Sequence, residues 1–187
     1  MTIILIGPMK VGKSTVACLL AARLGIPRYS MDKNRWTYYK EIGYDDEYAR
    51  RLADSGSLEA ALKYCKPFEV HAVERHLAEK RDCVMDFGAG YTVQDDPVLF
   101  ERVKRALEPQ PNVVLLLPCP DAEQSIAYLE ERNGANLHDL NAHYIRHPAN
   151  RMLAKAVIYT VGKTPQDTCG EILQMPGMDA GVCCQPE

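Results

Sequence analysis

The chain has 187 residues, of which 47% are hydrophobic, enough for one domain with a sizeable core. Its 22 Lys and Arg against 25 Asp and Glu leave a formal net charge of −3, without the basic field that binds nucleic acid regardless of sequence. No stretch approaches the roughly 20 apolar residues of a membrane span, and the apolar N-terminal run Ile3–Ile6 stops at Gly7-Pro8, too short for a secretory signal.

A soluble, cytoplasmic protein is therefore expected, with neither a nucleic-acid nor a membrane partner. The seven cysteines form no C-x-x-C pair. Cys18, Cys65, Cys83, Cys119 and Cys169 stand singly and read as reduced thiols, while Cys183-Cys184 belong to a stretch with the composition of a tail.

Ile3, Ile4, Leu5 and Ile6 read as a strand buried on both faces. Gly7, Pro8, Met9, Lys10, Val11, Gly12, Lys13 and Ser14 follow at once and spell a complete phosphate-binding loop, G-x-x-x-x-G-K-S, the Walker A pattern. Backbone N–H groups of such a loop converge on a polyphosphate, which needs glycine where a side chain would obstruct them. Lys13 supplies a cation for the β and γ phosphates, and the Ser14 hydroxyl is a ligand for Mg²⁺. The helix that starts with Ser14, Thr15 and Val16 adds the positive end of its dipole. A site for a nucleoside triphosphate with Mg²⁺ is the expectation.

Ile26 to Ser30 reads as a short second strand with Asp32 just beyond its C-terminal end. Lys33 to Lys40 carries Trp36, Tyr38 and Tyr39 among three cations. Helical spacing then covers approximately Asp45 to Asp54, Ser57 to Lys63 and Pro67 to Lys80. Asp82 to Phe87 is the third strand, followed by Gly88-Ala89-Gly90. Asp86, ending an apolar strand, reads either as a second anchor of the Mg²⁺ shell or as a turn acid, and the two glycines allow a substrate to lie against backbone. Asp96-Pro97 opens a helix to Leu107, Asn112 to Leu117 is the fourth strand, and Pro120-Asp121 starts the next helix. Asn133 to Asn141 is polar and reads as a mobile loop, His143 to Lys155 as partly helical, and Ala156 to Thr160 as the fifth strand. Thr164-Pro165 caps a last helix through Gln174. Five buried strands separated by helices specify an α/β fold, a parallel sheet covered on both faces, with the active crevice along the strands' C-terminal ends.

The opening ILIGPMKVGKST resembles that of shikimate kinases and the wider group of small phosphate-loop kinases that includes gluconate and nucleotide kinases. The resemblance implies a phosphate-loop kinase fold with strand order 2-3-1-4-5, a helical substrate-binding insert after strand two (about 33–80) and a lid (about 133–150), in a single domain over 1–175 with a tail at 176–187. It gives Asp32 the role of facing the acceptor hydroxyl and matches Gly88-Ala89-Gly90 to the family's glycine triplet. It also likens Arg146 to an arginine that binds an acidic group on the acceptor, and Arg132 to one that lies against adenine. Two features of the family are missing: Phe68 is followed by Glu69 rather than arginine, and the lid holds Asn136-Leu137-His138 in place of Arg-Pro-Leu-Leu.

Trp36, Tyr38 and Tyr39 either stack on a planar substrate or pack the insert against the sheet. His138, His143 and His147 lack the companions of a tetrahedral zinc site, and Arg146, Arg151 and Lys155 make their region the most cationic part of the expected cleft. The resulting expectation is an ATP- and Mg²⁺-dependent kinase acting on a small hydroxylated metabolite, as a monomer or small homo-oligomer. Lys13, Asp32 and Arg146 would be its catalytic groups; Gly7 to Thr15 and Arg132 would bind nucleotide; Ser14 and Asp86 would hold the metal; and Asp32, Trp36, Gly88, Gly90 and Arg146 would hold the acceptor. A nucleoside or nucleotide kinase is one alternative. A nucleotide-gated binding module with slow hydrolysis is another, though the absence of an N-K-x-D signature argues against a GTPase.

Overall fold

In the computed structural model, which describes residues 1–56, 58–79, 82–133 and 138–177, five strands form one sheet. These are β1 (Thr2–Ile6), β2 (Arg28–Ser30), β3 (Cys83–Asp86), β4 (Val113–Leu117) and β5 (Ala156–Tyr159). All pairings are parallel and the order is β2-β3-β1-β4-β5, the order expected. Every residue of β3 and β4, and Ile3 to Ile6 of β1, is buried, which is why these strands read as unbroken apolar runs without alternation.

Alternate residues of each strand feed two separate cores. Ile4, Ile6, Met85, Leu115 and Leu117 face Met31, Phe68, Val73, Leu107 and Ile126. Ile3, Leu5, Val84, Val114 and Leu116 face Val16, Leu20, Cys169 and Ile172. The second layer is supplied by α1 (Lys13–Leu24) and α9 (Pro165–Leu173). The first layer comes chiefly from α2 (Met31–Glu41), α4 (Leu58–Ala78), α5 (Pro97–Leu107), α6 (Ala122–Asn133), α7 (His138–Arg146) and α8 (Ala149–Leu153). The remaining helix, α3 (Asp46–Asp54), packs on α4.

The register pairs both Leu5 and Ser30 with Asp86, so the ends of β1, β2 and β3 finish level. Caps read from sequence are in place. Asp96 accepts from the Val98 and Leu99 amides ahead of Pro97, and Thr164 and Asp167 form a reciprocal capping box.

Two boundaries differ from expectation. The two helices expected over Ser57 to Lys63 and Pro67 to Lys80 are one, since α4 runs continuously across Pro67. Pro67 is solvent-exposed and so is Lys63, whose carbonyl loses its partner, so water can satisfy that oxygen. Packing of Phe68, Val70, Val73 and Leu77 into the first core then outweighs the local cost. In the stretch expected as a loop from Asn133 to Asn141, Asn133 belongs to α6 and His138 to Asn141 belong to α7, while residues 134–137, with Asn136 and Leu137, lie outside the described residues. Cys183 and Cys184 also lie outside them.

The aromatic segment after β2 is mostly interior. Tyr38 and Tyr39 are 5% and 2% exposed, and Tyr39, Tyr44, Tyr64 and Phe68 stack around one another with centroids 4.9–5.8 Å apart. These rings hold α2 and α4 together. Because Pro67 is a helix-interior proline at an exposed position, Pro67→Ala should raise the unfolding free energy by about 1–2 kcal/mol. Urea denaturation measures this, and a loss of stability would show that the ring itself packs productively.

Candidate functional site

The turn from β1 into α1 is built around one close approach. Gly7 has φ 135°, and a Cβ there would lie 2.3 Å from the carbonyl oxygen of Leu116, so only glycine fits against β4. Gly12 is the N-cap of α1 at φ 110° and offers no side-chain cap, which leaves the first amides of α1 to face any anion in the loop. Lys10 also has positive φ, 63°.

Lys13 is 8% exposed and donates from Nζ to the carbonyls of Gly7 and Pro8, at 2.8 and 2.7 Å. Burial pulls its pKa down to about 8, against the opposing pull of the Asp32 and Asp86 carboxylates. Those two acids therefore both lie within electrostatic reach of Lys13, one from the first turn of α2 and the other from the end of β3. Asp32 itself remains exposed.

Asp86 is buried and fully engaged. Arg28 of β2 donates from Nε and Nη2 to its two oxygens at 2.9 and 3.0 Å, and the Ser14 hydroxyl donates at 2.8 Å. The same contact holds the Arg28 pKa up, and a third donation from Arg28 reaches Cys18 Sγ at 3.0 Å. Ser14 and Asp86, a hydroxyl and a carboxylate joined by that 2.8 Å hydrogen bond beside the loop, are the hard oxygen donors that Mg²⁺ takes, so the donor set fits the ion that the loop implies.

Gly88 closes the other side. A Cβ on it would lie 2.6 Å from Asp32 Oδ1 and 2.8 Å from the Tyr91 ring, so the loop after β3 passes directly against the acid. Further along, Lys66 of α4 donates to the Gly90 and Val93 carbonyls at 3.0 Å each and to Glu69 at 3.1 Å. Burial raises the Glu69 pKa against the pull of Lys66.

On the opposite flank a cavity of about 250 Å³ is lined by Gly12, Thr15, Tyr128, Arg132, Thr160 and Lys163. Arg132 thus stands beside the phosphate loop. A larger cavity of about 820 Å³ lies between α4, the loop after β3 and α7, bordered by Lys63, Lys66, Gln94, Asp95, His143 and Tyr144. Asp95 stands 3.7 and 3.6 Å from the Nε2 atoms of His143 and His147. Among the described residues no group of three or more His, Cys, Asp or Glu side chains is arranged to hold a metal ion.

The structure thus brings Lys13, Ser14, Asp32, Asp86 and Gly88 together and sets Arg132 alongside. Gly90 lies against Glu69, where a Cβ would be 3.0 Å from the carboxylate. Trp36 is 39% exposed, with the Arg35 guanidinium 4.4 Å above its ring. Arg146 stands apart: it points into solvent and closes on Glu123 with two hydrogen bonds of 3.0 and 2.8 Å. Residues not singled out in the sequence hold the site in shape. Arg28 locks Asp86, Lys66 ties down the loop after β3, and Asn141 of α7 accepts from the Met9 amide at 2.9 Å. Arg28 alone left a trace in sequence, as an arginine inside a strand that neighbours one ending in an acid.

The sequence matches no family model, and no curated protein resembles it at a significant level. Solved structures do. The shikimate kinase of Acinetobacter baumannii in complex with shikimate superposes with a TM-score of 0.59 at 19% identity, covering 92% of this chain and 90% of that one. The shikimate kinase of Aquifex aeolicus gives 0.59 at 23% identity over 92% and 94%. A gluconokinase from Sinorhizobium meliloti gives 0.55 at 14% identity over 92% and 89%.

Removing the Arg28 guanidinium leaves Asp86 buried without its partner. Arg28→Met should therefore cost about 2–3 kcal/mol in urea denaturation, below the 3–5 kcal/mol of a fully buried pair because Arg28 is partly exposed. The level ends of β1, β2 and β3, the glycine-walled loop and the covered parallel sheet together give this chain the fold of the shikimate kinase-like phosphate-loop kinases.

Proposed function

We propose that the protein transfers the terminal phosphoryl group of ATP, with Mg²⁺, to a hydroxyl of a small metabolite in the cytoplasm. The observation that carries this reading is the convergence of Lys13, Asp32, the Ser14–Asp86 oxygen pair and the Gly88 backbone at one end of the sheet. Phosphoryl transfer asks a protein mainly to align the partners and neutralise developing charge, and those groups are of the required kinds.

In this reading residues 7–15 cradle the phosphates through backbone amides, and Arg132 lies along the base. Ser14 and Asp86 would hold the metal, which when bound would spread the charge of the phosphoryl oxygens. Lys13 keeps its cation beside the transferring group. Asp32, exposed and pressed against Gly88, accepts the proton of the acceptor hydroxyl at a carboxylate oxygen. Gly88 and Gly90 give the acceptor a backbone wall, and Trp36 borders its entrance. Arg146 reaches the acceptor only by leaving Glu123, an exposed pair whose breaking costs little. The segments about 33–80 and 133–150 serve as insert and lid of one domain spanning 1–175. A base platform made from Tyr38 and Tyr39 is disfavoured, since both rings are buried in the insert.

A coupled ADP-release assay over shikimate, sugar acids, nucleosides and nucleotides tests the proposal. Turnover stimulated by at least one acceptor is expected, and none by any of them would overturn it. Asp32→Asn should lower kcat by about 10²–10⁴ while leaving ATP affinity unchanged. The lowered pKa of Lys13 sets a pH dependence as well. Phosphate binds the protonated amine, which is present below about pH 8 and lost above it, so ATP affinity should be level below that pH and fall by up to about tenfold per unit above it. Calorimetry across this range checks the slope, which Lys13→Met should abolish together with most of the affinity.

A further inference from the structure

The cavity of about 820 Å³ between α4, the loop after β3 and α7 has no part in the roles assigned above, yet it begins where the glycine wall ends. Lys66 and Gln94 both line it, and both donate to the Gly90 carbonyl, at 3.0 and 3.1 Å. Gly90 is two residues from Gly88, a span of at most about 7 Å. The cavity therefore adjoins the backbone that presses on Asp32. Its walls are largely apolar: Leu62 of α4, Leu99 of α5, and Leu140 and Tyr144 of α7. Clefts of roughly 300–1,000 Å³ with such walls and a few polar groups are the common form of a small-molecule site.

One polar atom in this lining is left over. Gln94 is 3% exposed, and its amide nitrogen donates to the Gly90 and Tyr91 carbonyls at 3.1 and 3.2 Å, which fixes the nitrogen on that side. The same amide hydrogen-bonds Glu69. Its Oε1 is buried with no hydrogen-bond partner among the described residues. A buried acceptor in that condition carries a desolvation cost that an N–H or O–H of a ligand removes. Charge narrows the ligand further. Lys66 is engaged by Glu69 and two carbonyls, and Glu59, Asp95 and Asp96 outnumber Lys63 among the lining residues, beside His143. An anionic substituent is repelled there and an uncharged one is not.

We propose that this cavity is a second half of the acceptor site. Beyond its reacting hydroxyl the acceptor carries an uncharged apolar ring with an N–H or O–H on its edge, bound between α4 and α7 with that donor on Gln94 Oε1. The hydroxyl end of this inference rests on the phosphoryl-transfer reading above. The acceptor is then a ring-bearing alcohol rather than a bare sugar acid.

The test uses the full-length chain with methyl, phenyl and 4-carboxyphenyl β-glucosides, and with ribose beside adenosine and thymidine. Calorimetry measures binding, and ADP release measures phosphorylation. At least one ring-bearing alcohol should bind about 10- to 100-fold more tightly than its ringless partner, and the carboxyphenyl glucoside should lose that gain. Leu62→Trp, which fills the cavity, should remove the gain with the KM for ATP unmoved, whereas Leu62→Ala, which leaves the cavity open, should retain most of it. Gln94→Met should weaken adenosine and thymidine, whose bases carry N–H donors, by about tenfold. Ring-dependent binding that Leu62→Trp removes, with no phosphorylation of any ligand, would keep the cavity as a binding site and remove the transferase reading. Phosphorylation of ringless alcohols or of shikimate as efficiently as of ring-bearing ones, or turnover untouched in Leu62→Trp and Gln94→Met, would remove the cavity and keep the transferase. Failure of every ring-bearing alcohol to bind would overturn the cavity as well.

Discussion

The buried carboxylate of Asp86 is the constraint on which the rest of the site depends. It ends β3, takes a two-pronged donation from Arg28 on β2 and a hydroxyl donation from Ser14 on α1, and pulls on Lys13. An acid in that position without Arg28 would be expensive to bury. With Arg28 in place, two strands and the first helix are tied at the edge of the crevice by charged hydrogen bonds, the strong class of such bonds. The apolar layers on either side of the sheet set the positions of the strands, but this polar knot sets the positions of the chemistry.

That division explains what was legible in the sequence. Apolar runs such as Ile3–Ile6 and Val113–Leu117 reveal buried parallel strands because both faces need the same kind of residue. Asp96-Pro97 and Thr164-Pro165 reveal helix starts because capping is local. The phosphate loop is legible for a related reason: its backbone angles and close approaches, such as Gly7 against Leu116, must be encoded within a few residues. Pro67 misled because a local preference was overridden by packing made far along the chain.

The side of the crevice around Asp32 and Gly88 was less legible, since its geometry arises from contacts between distant segments. Asp32 meets Gly88 across more than fifty positions of sequence, and Lys66 secures the loop after β3 from a different helix. Arg35 and Arg146 look alike as letters. One packs over Trp36 beside Asp32 and the other is bound to Glu123 at the surface, and only the fold separates them. The segment Trp36 to Tyr39 left two readings open, and burial divides them, with the tyrosines in the interior and the tryptophan at the surface under Arg35.

The bond from the Met9 amide to Asn141 joins the phosphate loop to a residue 132 positions away. Asn141 is buried, and its helix inserts Ala142 and Ile145 into the first core while Tyr144 packs near Met9, Ala89 and Val93. A tether of that kind makes one backbone proton a gauge of distant order: if α7 lifts from the body of the protein, the Met9 amide is uncovered in the same event, and its solvent-exchange lifetime carries the news.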